Sequence, residues 1–373
     1  MLIPVFTLLA PQLEGATPTL IGIALGSYGL TQGLLQMPFG ILSDHWGRKR
    51  ILSVGLFLFI IGSVVGAFSH SIQGVILARI LQGMGATGSV LIALLADLTP
   101  ETVRTKAMAV IGMAIGLSFG LAMILSPLIS THYGLSGIFY LTGGLGCLGL
   151  FLLYVVIPNP VEFSPSNNQS VRESNKNVSL QNLATIFKHK ELSTLNIGIF
   201  LQHFILTVTF YAMPLTLKYY LNKGYQAQAW SFYLPIMLCS FILMFPCIVL
   251  AEKKKRMHIL LVASIFLTGI AQFFLAMFDN HWPVFWLVSL VYFWGFNILE
   301  ASLPSLISKK APAYMKGTAM GVYSTSQFMG IFFGGAMAGL LYQFSGTTHS
   351  LFIMNGLLSL CWLVINFKSF SRD

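Results

Sequence analysis

The chain has 373 residues, of which 55% are hydrophobic, 13% aromatic and only 9% charged, with a mean hydropathy of +0.78. Soluble domains carry roughly 25% charged residues, so a water-facing surface for a body of this size is excluded. The net charge of +10, from 21 basic and 11 acidic residues, falls in short clusters between apolar blocks and forms no continuous basic face, which argues against a nucleic-acid partner.

No charged residue occurs in 51–68, 107–161 or 192–217. About 20 apolar residues cross ~30 Å of hydrocarbon as a helix, so the chain reads as an all-α, multi-pass membrane protein. Hydropathy blocks bounded by Gly, Pro and charged breaks give spans at 1–13, 19–42, 51–69, 72–98, 107–131, 135–157, 194–217, 229–251, 258–278, 282–307, 318–344 and 350–367. The first block reaches only ~20 Å at ~1.5 Å per residue and has no basic n-region of a signal peptide. The expectation is a chain that begins inside its first helix, with eleven complete spans and one partial. Cys147, Cys239, Cys247 and Cys361 all lie in apolar stretches without CxxC spacing, so neither a disulfide framework nor a metal site is expected.

Lys and Arg orient the spans. Arg48–Arg50, Arg104, Lys106, Lys188, Lys190, Lys253–Arg256, Lys309, Lys310 and Lys368 fall on alternate loops, whereas the opposite side holds only Lys218 and Lys223. The positive-inside rule places the first set in the cytoplasm, together with the C-terminus and the hydrophilic segment 158–193. That segment is rich in Asn, Ser and Pro and divides the chain into six spans at 1–157 and six at 194–373. It suits a flexible linker with at most a short surface helix near 180–188. Its two N-x-S sequons, at Asn168 and Asn177, read as chance in a cytoplasmic linker.

The two halves echo each other. Pro38 precedes Asp44 by six residues before a basic turn, and Pro246 precedes Glu252 by six before Lys253–Arg256; KAMAVIG at Lys106 is matched by KGTAMGV at Lys316. The offsets, 208 and 210 residues, are nearly constant. Such a parallel repeat puts a solute site at mid-membrane between two bundles.

After the second span the chain reads Gly40-Ile-Leu-Ser-Asp44-His-Trp-Gly47-Arg48-Lys49-Arg50. Basic residues there alone would be an ordinary positive-inside anchor. The full spacing resembles the loop between helices two and three of the major facilitator superfamily, G-x-x-x-D-[RK]-x-G-[RK]-[RK]. In that family the cluster helps hold one conformation of an alternating-access cycle, a role the resemblance carries to Gly40, Asp44, Gly47, Arg48 and Lys49. His45 departs from the usual basic residue, and an unperturbed histidine is mostly uncharged at neutral pH, so this latch is expected to be weaker or pH-sensitive. In the fourth span Arg79-Ile-Leu-Gln82-Gly83-Met-Gly85 resembles the R-x-x-Q-G-x-G motif of proton-driven facilitators. Arg79 lies ~10 Å inside the outer boundary, where a guanidinium either faces a partner or wet cavity or snorkels to the headgroups. Asp97 and Arg104 are expected to join Asp44 and Arg48 in a cytoplasmic charge network. Gly112, Gly116 and Gly120 partly match an antiporter motif and equally suit ordinary helix packing.

LIGIALGSYGLTQGLLQMPFGILSD and LPSLISKKAPAYMKGTAMGVYSTSQF are similar to the YajR-type proton-driven drug exporters of that superfamily. The sequence ends at Asp373, just after the last span, so the expectation is a transporter without the soluble C-terminal domain that members of this type can carry. The resemblance implies two six-helix bundles, location in the bacterial inner membrane, a small-molecule substrate, and the proton gradient as energy source with no cofactor. A monomer is expected.

Among the acids inside spans, Glu300 shares a helix face with Asn297 and Pro304. It is either a proton- or substrate-binding group or a structural acid hydrogen-bonded to its neighbours. His203 lies on one face of the seventh span with Asn196, Thr207, Tyr211 and Pro214, and is either its partner in proton coupling or a packed core histidine. Tyr28, Gln32 and Gln36 at four-residue intervals, with Tyr323 and Gln327 in the eleventh span, are candidates to line a largely apolar cavity. Together with Asn196, Tyr211 and Asn297 they form the expected substrate set.

The leading reading is a proton-coupled exporter of small amphipathic or drug-like molecules. Alternatives are a symporter importing a nutrient and a non-transporting sensor. An enzyme is not expected: HExxH and GxxxxGK[ST] are absent, and the one GxSxG, at Gly116–Gly120, falls inside a membrane span instead of at the strand-to-helix turn a nucleophile needs.

Overall fold

The computed structural model describes residues 2–158, 186, 189–225, 228–278, 281–312 and 316–370. The expected linker helix and both sequons lie outside the described residues, apart from Ile186.

The helices are α1 (Phe6–Leu9, continued by a 3₁₀ turn at Ala10–Gln12), α2 (Pro18–Trp46), α3 (Arg48–Phe68), α4 (Ile72–Met84), α5 (Thr87–Leu98) and α6 (Glu101–Val155). They continue with α7 (Lys190–Asn222), α8 (Ala229–Lys253), α9 (Met257–Met277), α10 (Trp282–Lys310), α11 (Lys316–Ser345) and α12 (Thr348–Phe370). Nine stretches among the described residues are long and apolar enough to cross a membrane. One belongs to α6, whose 55 residues suffice for two crossings and bend at Gly134 (φ 61°), where the sequence places the break between spans five and six. α2 is not among the nine, because Tyr28, Thr31, Gln32 and Gln36 lower its hydropathy; at 29 residues it still reaches ~43 Å.

Local chemistry sets the helix ends. Thr17 caps α2 by accepting from the Leu20 amide at 3.3 Å, with Pro18 at the first helical position, and Ser71 caps α4 by accepting from Gly74 at 3.2 Å. At the turns opposite the basic loops, Glu14 exchanges backbone hydrogen bonds with His70 and Ile72, both 3.0 Å, tying the α1–α2 turn to the α3–α4 turn.

The fourth span, Ile72–Leu98, has the expected bounds but is not one continuous helix. It breaks at Gly85–Ala86 into α4 and α5. A Cβ on Gly85 would lie 2.6 Å from the Gly55 carbonyl, and one on Gly55 would lie 2.5 Å from the Gly85 carbonyl. α3 therefore approaches backbone to backbone, and the helix yields there. In the fifth span nothing among the described residues stands within 4 Å of a Cβ on Gly112 or Gly116, so these two glycines make no close packing contact in this structure.

α1–α6 and α7–α12 meet mainly along α2 and α11, with further contact between α6 and α8. The α2–α11 seam is made by glycines. A Cβ on Gly26 would lie 2.7 Å from the Phe332 carbonyl, and one on Gly335 would lie 2.6 Å from that of Gly22. At the end of the seam away from the basic loops, Thr19 Oγ1 donates to Gln343 Oε1 at 2.6 Å and the Tyr211 hydroxyl donates to the Pro18 carbonyl at 3.1 Å. At the basic end, the ion pairs Arg48–Asp97, Lys309–Glu252 and Lys310–Glu191 each stay within one half.

Candidate functional site

α7, α10 and α11 bring four polar side chains together. Glu300 Oε2 accepts from Gln202 Nε2 at 3.0 Å and lies 3.7 Å from His203 Nε2. That ring nitrogen is also 2.8 Å from Gln327 Nε2, while His203 Nδ1 is 3.3 Å from the Ile199 carbonyl. The His203 side chain is 6% exposed and Glu300 38%, so the acid opens to free space while the imidazole sits behind it. Tyr323 is buried within electrostatic reach of Glu300. The Phe296 ring stands edge-on to the imidazole, and Phe119 of α6 reaches across to Phe296 and Phe210, each at 6.3 Å between ring centres. A carboxylate and an imidazole so placed can take up and release a proton with small side-chain movements.

In the first half, Arg79 Nη1 donates to Gln82 Oε1 at 3.1 Å, and Gln82 Nε2 donates to Ser63 Oγ at 2.9 Å. The guanidinium stands 4.7 Å over the Tyr28 ring, a cation–π contact, and Tyr28 meets Phe328 of α11 edge-on. Among the described residues no carboxylate pairs with Arg79, and its Nε is buried without a partner.

At the basic end Arg48 is the hub. It pairs with Asp44, donates through Nε to Asp97 Oδ2 at 2.9 Å and through Nη1 to Ser43 Oγ at 2.7 Å. Lys49 donates to the Ile157 carbonyl, and Gly47 holds φ +92° between α2 and α3. Gly40 lies against Ser89 of α5. The side chain of Arg104, the other expected member, lies outside the described residues.

The remaining expected substrate residues are dispersed. Gln32 and Gln36 are buried and bonded to each other, and Gln36 lies against Gly88 of α5. Asn297 donates to Ser240 Oγ at 2.9 Å, tying α10 to α8. Tyr211 ties α7 to the start of α2, and Asn196 is buried with neither amide atom partnered among the described residues. Sequence reasoning missed Gln202, which sits one residue, and thus ~100° of helix, from the His203 face. It also missed a buried cluster in which Asn355 Nδ2 donates to Thr209 Oγ1 and Gln272 Oε1, both 3.2 Å. Asn and Gln inside apolar spans were the available signal.

The Major Facilitator Superfamily profile matches residues 1–335 and again 195–373. The chain belongs to this superfamily. The inner membrane transport protein YajR of Escherichia coli (strain K12) is 41% identical over 370 residues, 98% of this chain and 78% of that protein. The quinolone resistance protein NorA of Staphylococcus aureus (strain MSSA476) is 25% identical over 362 residues, 92% of this chain and 86% of NorA. In three dimensions the inward-open xylose transporter XylE from E. coli superposes with a TM-score of 0.74 at 18% identity, over 98% of this chain and 89% of XylE. The protein thus has the major facilitator fold and is a multi-pass membrane transporter of the secondary active type.

Proposed function

We propose that this facilitator is a proton-coupled exporter of small amphipathic, drug-like molecules. The observation that carries the reading is the Glu300–His203 pair, 3.7 Å apart on two helices of one half, with the carboxylate open and the imidazole enclosed. The likeness to a quinolone resistance protein supports the substrate class. In this reading residues 1–157 and 194–373 are the two moving bundles, joined by 158–193. The linker and C-terminus face the cytoplasm of a bacterium, the unit is a monomer, and the proton gradient supplies the energy without a cofactor. The Arg48 hub holds the conformation in which α2, α3 and α5 stay locked, and Tyr28 beside Arg79 and Tyr323 beside Glu300 orient the substrate.

Proteoliposomes incubated in a fluorescent quinolone test it against protein-free vesicles. An acidic lumen drives accumulation by antiport, whereas an acidic exterior drives it by symport, the importing alternative. Glu300→Gln is expected to cut gradient-driven flux by about tenfold or more, equivalent to ~1.4 kcal/mol or above. Wild-type coupling in that variant would remove Glu300 from the mechanism.

A further inference from the structure

We infer that Gln327 is the positioning residue that reports the protonation state of His203 to the α2–α11 seam; this rests on the coupling role given to His203 above. The hydrogen bonds around the ring set its tautomer. A carbonyl only accepts, so the 3.3 Å contact with Ile199 places a hydrogen on Nδ1. Nε2 then carries the lone pair and accepts from the Gln327 Nε2 amide at 2.8 Å. This is the neutral form of the ring.

A proton arriving on Nε2 occupies that lone pair. Two N–H donors then face each other, so the Gln327 amide has to turn its Oε1 to the ring or let it go, while no heavy-atom bond changes. The new N–H has one charged acceptor nearby, Glu300 Oε2 at 3.7 Å, which Gln202 holds in place at 3.0 Å. Protonation therefore draws the imidazole toward α10 and forces the Gln327 side chain of α11 to reorient. The titratable and charged groups facing the ring are Glu300 from α10 and, through Glu300, Tyr323 from α11; α7 contributes the neutral Gln202 amide and the Ile199 carbonyl.

Gln327 is placed to pass this on. Its neighbour Phe328 meets Tyr28 edge-on, and a Cβ on Gly29 of α2 would lie 2.6 Å from the Phe328 carbonyl. Two residues before it, Thr325 Oγ1 donates to the Gly33 carbonyl at 3.3 Å. On the other face of α11, a Cβ on Gly334 would lie 2.6 Å from the Phe204 carbonyl of α7. α11 is held backbone to backbone on both sides, so a partner gained or lost at Gln327 acts on the helix that forms the seam. Interfaces packed this closely move between discrete arrangements instead of deforming gradually.

The test needs no substrate. Spin labels on Tyr133→Cys and Phe344→Cys, both exposed and on different halves, in a background with the four native cysteines changed to alanine, report the separation of the halves against pH. The wild type is expected to show a two-state titration. Gln327→Met removes the donor that favours the neutral ring, and its midpoint is expected to rise by about half to one pH unit. Gln327→Glu, which supplies an acceptor for the charged ring, should raise it further. If neither variant moves the midpoint, or both lower it, while His203→Gln abolishes the titration, the role of Gln327 is overturned and that of His203 stands. If His203→Gln titrates like the wild type, or the wild type does not titrate, the coupling reading itself falls.

Discussion

At the scale of single residues, the turn between α8 and α9 shows what the internal repeat keeps and what it gives up. Lys255 stands 208 residues after Gly47, and both hold positive φ, +55° and +92°. The Lys255 amide donates to the Glu252 carbonyl at 3.1 Å and the Arg256 amide to Ala251 at 2.8 Å, the paired bonds of a Schellman ending. Glycine usually fills that position because a side chain there crowds the carbonyl. Lys255→Gly is therefore expected to raise stability by about 1 kcal/mol. Thermal unfolding in detergent checks it, and a lowered midpoint would contradict the strain. The partnering acids differ between the repeats as well: Asp44 pairs with Arg48 in the next helix, whereas Glu252 reaches Lys309 of α10. The similarity of the sequence blocks thus marks a positive φ at matching places and neither the same turn geometry nor a shared ion-pair network.

At the scale of elements, α11 carries the most consequence because it touches α2 and α7 through glycines on two faces. Gly335 has no room for a methyl group: its Cβ would lie 2.6 Å from the Gly22 carbonyl and 3.0 Å from the Gly26 nitrogen. Backbone cannot yield as a side-chain tip can, and overpacking of this kind costs about 1–3 kcal/mol. Gly335→Ala is expected to shift the protein toward the arrangement open at the Thr19–Gln343 end. The same spin-label pair would report a longer separation, and an unchanged distance distribution would show that the seam is not a gate. The break in the fourth span belongs to this scale too, since Gly85 abuts Gly55 of another helix, a contact no local pattern announces.

For the whole molecule, the distribution of Lys and Arg predicts the orientation in the membrane. In the cysteine-free background, Lys254→Cys is expected to react with a membrane-impermeant maleimide only in inverted vesicles, and Lys223→Cys only in intact cells. The opposite pattern would reverse the topology and with it the direction assigned to transport. Contacts between halves gather at the Thr19–Gln343 end and along the seam, while the ion pairs of the basic end stay within their halves.

Hydropathy and charge sum along the chain, residue by residue, so the spans, the kink near Gly134, the loop with Asp44 and Arg48 and the membership of the superfamily were all legible from the amino acids alone. Glu300, His203 and Gln327 were each visible as polar residues in apolar surroundings, because burial of such groups is costly wherever it occurs. Their meeting was not visible. Which face of α7 turns toward α10, how closely α2 approaches α11, and that Gln32, Gln36, Asn297 and Tyr211 bond within or between helices near other partners depend on helix rotation and packing. Those are set by contacts between residues a hundred or more positions apart, and only the tertiary structure decides them.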